Sequence, residues 1–494
     1  MKQRTLSPLV TLLHHPLLRQ MAQVAAERGL LPVYLVGGFL RDALLEHPGA
    51  LDFDLVSADP VALGMALQHA VAGKVICLAD RVRRVVFSRE GERVQVDISP
   101  LHGGSIVEDL RRRDFTINAM AISLADEPPR LIDPAGGLRD LRERRIRMSD
   151  PRVLAEDPLR LLRSIRLAAQ LGFNIDETTA QAIRHQASLL RDVAPERLRE
   201  ELFEILHGSG AGHWFEVMDK LGLLEALLPE VRTMRGCLQG APHRFDVLTH
   251  SLEMVRCLDG ILLALPKLLP DEAASLVGPL QAEVEGGISR QALLRFTALI
   301  HDVGKPDTRS TKDGQVRFLG HAERGADIAD EITRRLRLGA RASAMTVALV
   351  REHLRPLSLW QAKTITPRAR YRFWRDLGTL TPDLLLLSLA DIRATWAKEE
   401  STLQGYLGFV RDMFAFHRER IQASEQAGKR ASVLDGHEVM ARMGLSPGPF
   451  VGFLLERLRE EASLGSLRTK EEALQYLERH LPALWEAFTK GELP

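Results

Sequence analysis

The 494-residue chain has only three cysteines, Cys77, Cys237 and Cys257. They are too few and too dispersed for a disulfide framework or a cysteine-based zinc cluster, which points to a reducing compartment, the cytoplasm. No uncharged apolar run of about 18 residues occurs, so no membrane-spanning helix is expected. The apolar stretch from Gly260 to Pro270 is too short to span and reads as a core helix. No signal-peptide pattern opens the chain. An excess of either charge is also missing: 66 Lys and Arg against 65 Asp and Glu leave a net charge of +1, which excludes a uniformly basic RNA binder but not local patches. Internal repeats and low-complexity tracts are lacking. What remains is 45% apolar, as expected for a soluble enzyme, and too long for one core, so several domains are expected.

Chemistry begins near the start. The apolar run Val33 to Val36 leads into Gly37-Gly38 and then Arg41-Asp42, and Asp52-Phe53-Asp54 follows. Residues two apart on a strand project from one face, so both carboxylates reach one place. Such an oxygen-rich, doubly negative site suits Mg²⁺ together with substrate phosphates. A diglycine lets backbone amides approach a triphosphate with no Cβ in the way. Each feature alone is also common in turns and on surfaces. Downstream, Arg93 to Ile98 alternates apolar and polar side chains as a half-buried strand carrying Asp97.

In their order, the strand, diglycine, helix and Asp-x-Asp pattern resembles the palm of the DNA polymerase β superfamily. The block Leu110-Arg-Arg-Arg-Asp-Phe-Thr-Ile-Asn-Ala-Met-Ala121 resembles the Arg-Arg-Asp-Phe-Thr-x-Asn-Ala motif of class II tRNA nucleotidyltransferases and bacterial poly(A) polymerases. The resemblance implies Asp52 and Asp54 as Mg²⁺-holding catalytic groups. It places at Asp97 a third carboxylate that orients or deprotonates the attacking 3′-hydroxyl, with a structural strand-end aspartate as the alternative. Gly37, Gly38, Arg41 and Arg113 would position the triphosphate, and Asp114 and Asn118 offer an acceptor and an amide for ribose hydroxyls. A basic residue often precedes the family's Asp-x-Asp; here Leu51 stands there.

Asp133-Pro-Ala-Gly-Gly-Leu-Arg-Asp140 and Glu156-Asp-Pro-Leu-Arg160 resemble two further family elements, the second being the template for the incoming base. Asp157 and Arg160 are three apart and expected on one helix face. One only accepts hydrogen bonds and the other only donates, which matches the amine and ring nitrogen of CTP and ATP but not UTP or GTP. An ordinary intrahelical ion pair is the alternative. Arg160, Arg163 and Arg166 form a stripe expected along phosphates of the nucleotide or RNA. Ala194 to Leu202 resembles another neck motif and is given no catalytic role.

The second half carries His301-Asp302 after an apolar helical run, with His250 upstream and His321, His353 and Asp391 downstream. These six, in this order, resemble the HD phosphohydrolase superfamily. The resemblance implies one or two divalent ions, a transition metal or Mg²⁺, hydrolysing a phosphate ester.

The expected fold class is α+β: a polymerase-β-like mixed-sheet palm over residues 1–148, then an all-helical neck (149–235), HD bundle (236–425) and tail (426–494), with a flexible loop between Asp54 and Asp97. Leu154 to Gly172 should be one neck helix with a glycine cap. A break is expected near Gln426 to Ser432, and a helix start at Pro447-Gly-Pro449. The expected function is extension of a tRNA 3′ end towards CCA from CTP and ATP. CC-only, A-only or poly(A) addition is the alternative within the family, and an HD phosphohydrolase with a non-catalytic, RNA-binding palm is the alternative outside it.

Overall fold

The structure is a computed structural model that describes residues 14–47, 50–396, 399–426 and 434–491, together with residues 9, 11 and 12. It divides into two compact units, 1–231 and 232–494.

The first unit is organised by a seven-stranded mixed sheet of β1 (Val33–Val36), β2 (Asp52–Ser57), β3 (Lys74–Ala79), β4 (Val82–Arg89), β5 (Glu92–Pro100), β6 (Ala121–Ser123) and β7 (Leu131–Ile132). Their order is β3-β4-β5-β2-β1-β6-β7. β2 and β5 pair in parallel and the other neighbours are antiparallel. Phe53 and Leu55 are fully buried, which leaves Asp52 and Asp54 on the opposite face, as a period of two requires. Val36, Val56 and Ala121 pack against Ile106 and Leu110 of the Ile106–Arg111 helix, fixing the sheet beneath the arginine-rich block. Residues between Asp54 and Asp97 form the Pro60–Val71 helix and the β3–β4 hairpin instead of a loop.

The neck differs from a single helix. Val153–Glu156 and Leu159–Leu171 are separate helices, broken where Asp157 is extended (φ −140°, ψ 96°) before Pro158. Proline's ring disfavours helical geometry in the preceding residue, which is the cause of the break. The longer helix ends as expected, on Gly172 at φ 66°.

In the second unit, the helices Val247–Leu263, Arg290–Ile300, His321–Arg335, Ala340–Glu352 and Thr381–Thr395 carry the HD motif. The Gly260 to Pro270 stretch forms the end of the first of these and the short Leu265–Leu268 helix, with Ile261, Leu265 and Leu269 buried. Neck and bundle are not purely helical. Two-residue strands pair Arg145–Ile146 with Asn174–Ile175, and hairpins join 283–285 to 288–289 and 309–312 to 315–318. Gly286-Gly287 and Asp313-Gly314 turn these hairpins with positive φ at both positions, the geometry that favours such pairs. A helix begins at Pro449 as expected and packs Phe450, Phe453 and Leu454 into the core of residues 434–491. The expected break at 426–432 lies, apart from Gln426, outside the described residues. Among the described residues no helix is long and apolar enough to cross a membrane.

Candidate active site

A polar cavity of about 400 Å³ opens over β1 and β2 of the first unit. Its lining unites Gly37, Gly38, Arg41, Asp52, Asp54, Arg113, Asp114, Asn118, Arg163 and Arg166, ten residues singled out from the sequence. Gly37 is required by space and by backbone: it has φ 75°, and a Cβ there would lie 2.4 Å from Asp54 Oδ2. Asp97 on β5 is the Cα partner of Asp54, so three carboxylates gather on adjacent strands. Burial pushes Asp54 up to about 6, with Arg113 opposing and the charges of Asp52 and Asp97 adding to the rise. Burial, then the charge of Asp97, also raises Asp52, whereas the hydrogen bond from Gln95 (3.0 Å) lowers it. Carboxylates crowded this way are short of positive charge, and an all-oxygen donor set fits Mg²⁺.

The cationic wall is pre-set. Arg41 donates to both oxygens of Asp42 (2.7 and 2.9 Å) and to Asn118 Oδ1 (2.9 Å). Asn118 in turn donates to Asp114 Oδ1 at 3.2 Å. Arg163 and Arg166 lean on Glu201 (3.3 and 2.6 Å), a buried carboxylate of the Pro195–His207 helix. The sequence gives that segment no catalytic role; five charged residues in its first two turns, Glu196, Arg197, Arg199, Glu200 and Glu201, were the available signal. The turn at 133–140 is structural support. Asp133 accepts from the amides of Gly137 and Leu138, and buried Asp140 holds Thr116 Oγ1 (2.6 Å) and Arg147 (2.7 Å) beneath the 114–118 block.

Asp157 and Arg160 do not share a helix face, because Pro158 ejects Asp157 from the helix. Burial would raise the Asp157 carboxyl, but the ion pair with Arg197 (2.9 Å) holds it below the usual range. The Arg160 side chain donates to the Val153 carbonyl at 2.9 Å. It lines a neighbouring cavity of about 280 Å³ with Ser99, His102, Asp109, Arg112, Arg113 and Glu156. The stripe is therefore split, two arginines to the main cavity and one to its neighbour.

A second cluster lies in the other unit. His301 and Asp302 follow the Arg290–Ile300 helix and meet His250, His321 and Asp391 from three other helices and His353, which caps the Ala340–Glu352 helix. His250 Nε2 lies 3.0 Å from Asp391 Oδ1 and 3.7 Å from Asp302 Oδ2, and His301 Nε2 lies 3.1 Å from Asp302 Oδ2. His321 and His353 stand 3.5 and 3.6 Å from Asp302 Oδ1. Backbone carbonyls of Ala298, Phe318 and Val350 engage Nδ1 of His301, His321 and His353, which turns the three Nε2 atoms inward. Two sets, His250-His301-Asp302 and Asp302-His321-His353, each have ligand atoms within 4.8 Å of one another. Burial would raise Asp302, but His301 and Lys305, whose Nζ lies 2.6 Å away, hold it well below the carboxylate range. Buried His301 Nε2 and Asp302 Oδ1 lack hydrogen bonds of normal geometry, and imidazole with carboxylate is a donor set for a divalent metal. The sequence reading missed His243, whose ring packs edge-on to His250 at 5.0 Å. Its signal was its place seven residues before His250.

Residues 33–147 match the poly A polymerase head domain family, 172–234 the probable RNA and SrmB-binding site of polymerase A, and 247–394 the HD domain. The A-adding tRNA nucleotidyltransferase of Deinococcus radiodurans is 36% identical over 464 residues, covering 92% of this chain and 96% of that protein. The CC-adding tRNA nucleotidyltransferase of Thermus thermophilus is 33% identical over 452 residues, covering 90% and 92%. In fold, the chain is similar to the Thermotoga maritima CCA-adding enzyme complexed with tRNA, with a TM-score of 0.64, 22% identity and coverage of 96% and 98%. With its polymerase-type head, RNA-binding segment and HD domain, the chain belongs to the tRNA nucleotidyltransferase family and is a nucleotidyltransferase.

Proposed function

We propose that the first unit extends a tRNA 3′ end with all or part of CCA, using CTP and ATP. The observation that carries this reading is the single cavity in which Asp52 and Asp54 face the arginines Arg41, Arg113, Arg163 and Arg166. Asp52 and Asp54 would hold Mg²⁺, which when bound lowers the pKa of the 3′-hydroxyl and steadies the leaving pyrophosphate. Gly37 and Gly38 bring backbone close to the triphosphate, and the arginines hold its oxygens in bidentate fashion. Asn118 and Asp114 face the ribose. Asp97 orients the attacking hydroxyl. Asp157 and Arg160 choose the base by their acceptor-only and donor-only chemistry. Each must first leave a present partner, Arg197 or the Val153 carbonyl, so base choice accompanies a rearrangement of the neck.

Four domains follow from this reading: a palm over 1–148, a neck over 149–235, an HD domain over 236–425 and a tail over 426–494. CC-only and A-only addition are the narrower readings, as relatives of both kinds resemble this chain at 33% and 36% identity. In the second unit, His250, His301, Asp302, His321, His353 and Asp391 would hold a divalent metal, which when bound activates water against a phosphate ester. Lys305 supplies the cationic side chain beside it.

The test is incorporation of each labelled nucleoside triphosphate into tRNA transcripts ending at the discriminator base, at C and at CC, with a non-tRNA oligonucleotide as control. CMP or AMP addition that depends on Asp52 and Asp54 is expected, and the ends accepted name the product. Phosphatase activity without any incorporation would replace this reading with that of a hydrolase carrying an RNA-binding palm.

A further inference from the structure

Asp97 is occupied from the side away from the cavity. It pairs across two strands at once, with Asp54 on β2 and with Arg84 on β4. Arg84 Nε and Nη2 donate to the two Asp97 oxygens at 2.7 Å each, the fork geometry of a bidentate pair. A guanidinium engaged with both oxygens takes one lone pair on each and neutralises the carboxylate's charge, so a second cation arriving there competes with Arg84. The lining of the 400 Å³ cavity includes Asp52 and Asp54 but neither Asp97 nor Arg84. The Arg84 and Asp97 side chains keep 32% and 24% exposure, so water reaches the pair and screens it in part. A monovalent partner on a carboxylate beside Asp52 and Asp54 competes there with a divalent ion of twice its charge.

We propose that Arg84 is a displaceable counter-ion: it holds the Asp97 carboxylate in the metal-free site, yields it to a divalent cation bound at Asp52 and Asp54, and so sets the metal requirement of the transferase. Arg84 is thus a positioning residue acting through Asp97, and the proposal rests on the reading of Asp52 and Asp54 as metal holders. Removing the competitor strengthens metal binding. Arg84→Gln therefore lowers the metal concentration needed, the opposite of the loss of metal affinity that a merely structural role gives.

The experiment is Mn²⁺ binding to the full-length protein followed by electron paramagnetic resonance, with the component that survives in Asp52→Asn subtracted to remove the second unit's cluster. Arg84→Gln should tighten the Asp52-dependent site about threefold to fivefold, the range open to an ion pair of this exposure. Arg84→Lys, which keeps the charge and breaks the fork, should shift it less in the same direction, and serves alone if the glutamine variant does not fold. In an Asp97→Asn background, Arg84→Gln should change nothing. Wild-type binding that depends on Asp52 but is unmoved by either Arg84 substitution overturns the proposal alone. Wild-type protein with no Asp52-dependent Mn²⁺ binding overturns the metal reading of the palm, and the proposal with it.

Discussion

The two clusters of acidic and metal-competent side chains solve the problem of crowded charge in opposite ways. In the first unit, Asp52 and Asp54 face an open cavity, both carboxyls are raised, and the arginines opposite are tied to other carboxylates such as Asp42 and Glu201. In the second, Asp302 is buried and held well below the usual range by His301 and Lys305. The first arrangement is incomplete until something cationic and something polyanionic enter together, as a metal nucleotide does. The second is nearly self-neutral, and its imidazoles suit a borderline metal better than Mg²⁺. The two clusters differ in donor type and in burial.

That contrast is broken most severely by Asp54→Asn. Nucleotide incorporation should fall at least about a thousandfold, because the charge that holds the metal is gone, with phosphoester hydrolysis unchanged. Next, His301→Ala should strip bound transition metal from purified protein, measured by elemental analysis, with incorporation retained. Glu201→Ala should raise KM for the nucleoside triphosphate about tenfold, since Arg163 and Arg166 lose their shared anchor and a buried charge-assisted hydrogen bond is worth somewhat over 1 kcal/mol. Gly37→Ala should cost about 1–3 kcal/mol in thermal or denaturant unfolding through its positive φ alone, with a further loss of activity from the clash with Asp54.

The smallest effect sharpens the comparison through pH. Burial pushes the Asp54 carboxyl up to about 6, and a protonated carboxyl does not hold a cation, so incorporation should decline as pH falls through that region. Metal competes with the proton, so raising Mg²⁺ should move that acid limb downward. Without metal, the folded state binds this proton more tightly than the unfolded one. The group's contribution to stability therefore falls as pH rises from the ordinary carboxylate value of 3.8 to about 6, and a melting series with and without Mg²⁺ should diverge above that point.

Much of this was legible in the sequence because it rests on local periodicity. Asp52 and Asp54 share a face by the strand period, and the diglycine announces a close approach that the structure shows at Gly37. The cavity's other lining residues lay within short recognisable blocks. What escaped depends on long-range pairing or on one residue overriding a pattern. Glu201 and Arg84 act across 35 or more and 13 residues of sequence, where no spacing rule reaches. Pro158 broke a helix whose apolar period continues on both sides, and so separated Asp157 from Arg160. The Asp313-Gly314 turn was a readable hairpin signal, overshadowed by the helical pattern around it.

The central claim is that nucleotidyl transfer belongs to the carboxylate cluster and is independent of the histidine cluster. It is tested most directly by assaying wild type, Asp54→Asn and His301→Ala side by side for nucleotide incorporation into tRNA transcripts and for phosphomonoester hydrolysis. The account predicts that Asp54→Asn loses only incorporation and His301→Ala loses only hydrolysis. Incorporation that survives in Asp54→Asn, or disappears in His301→Ala, would contradict it.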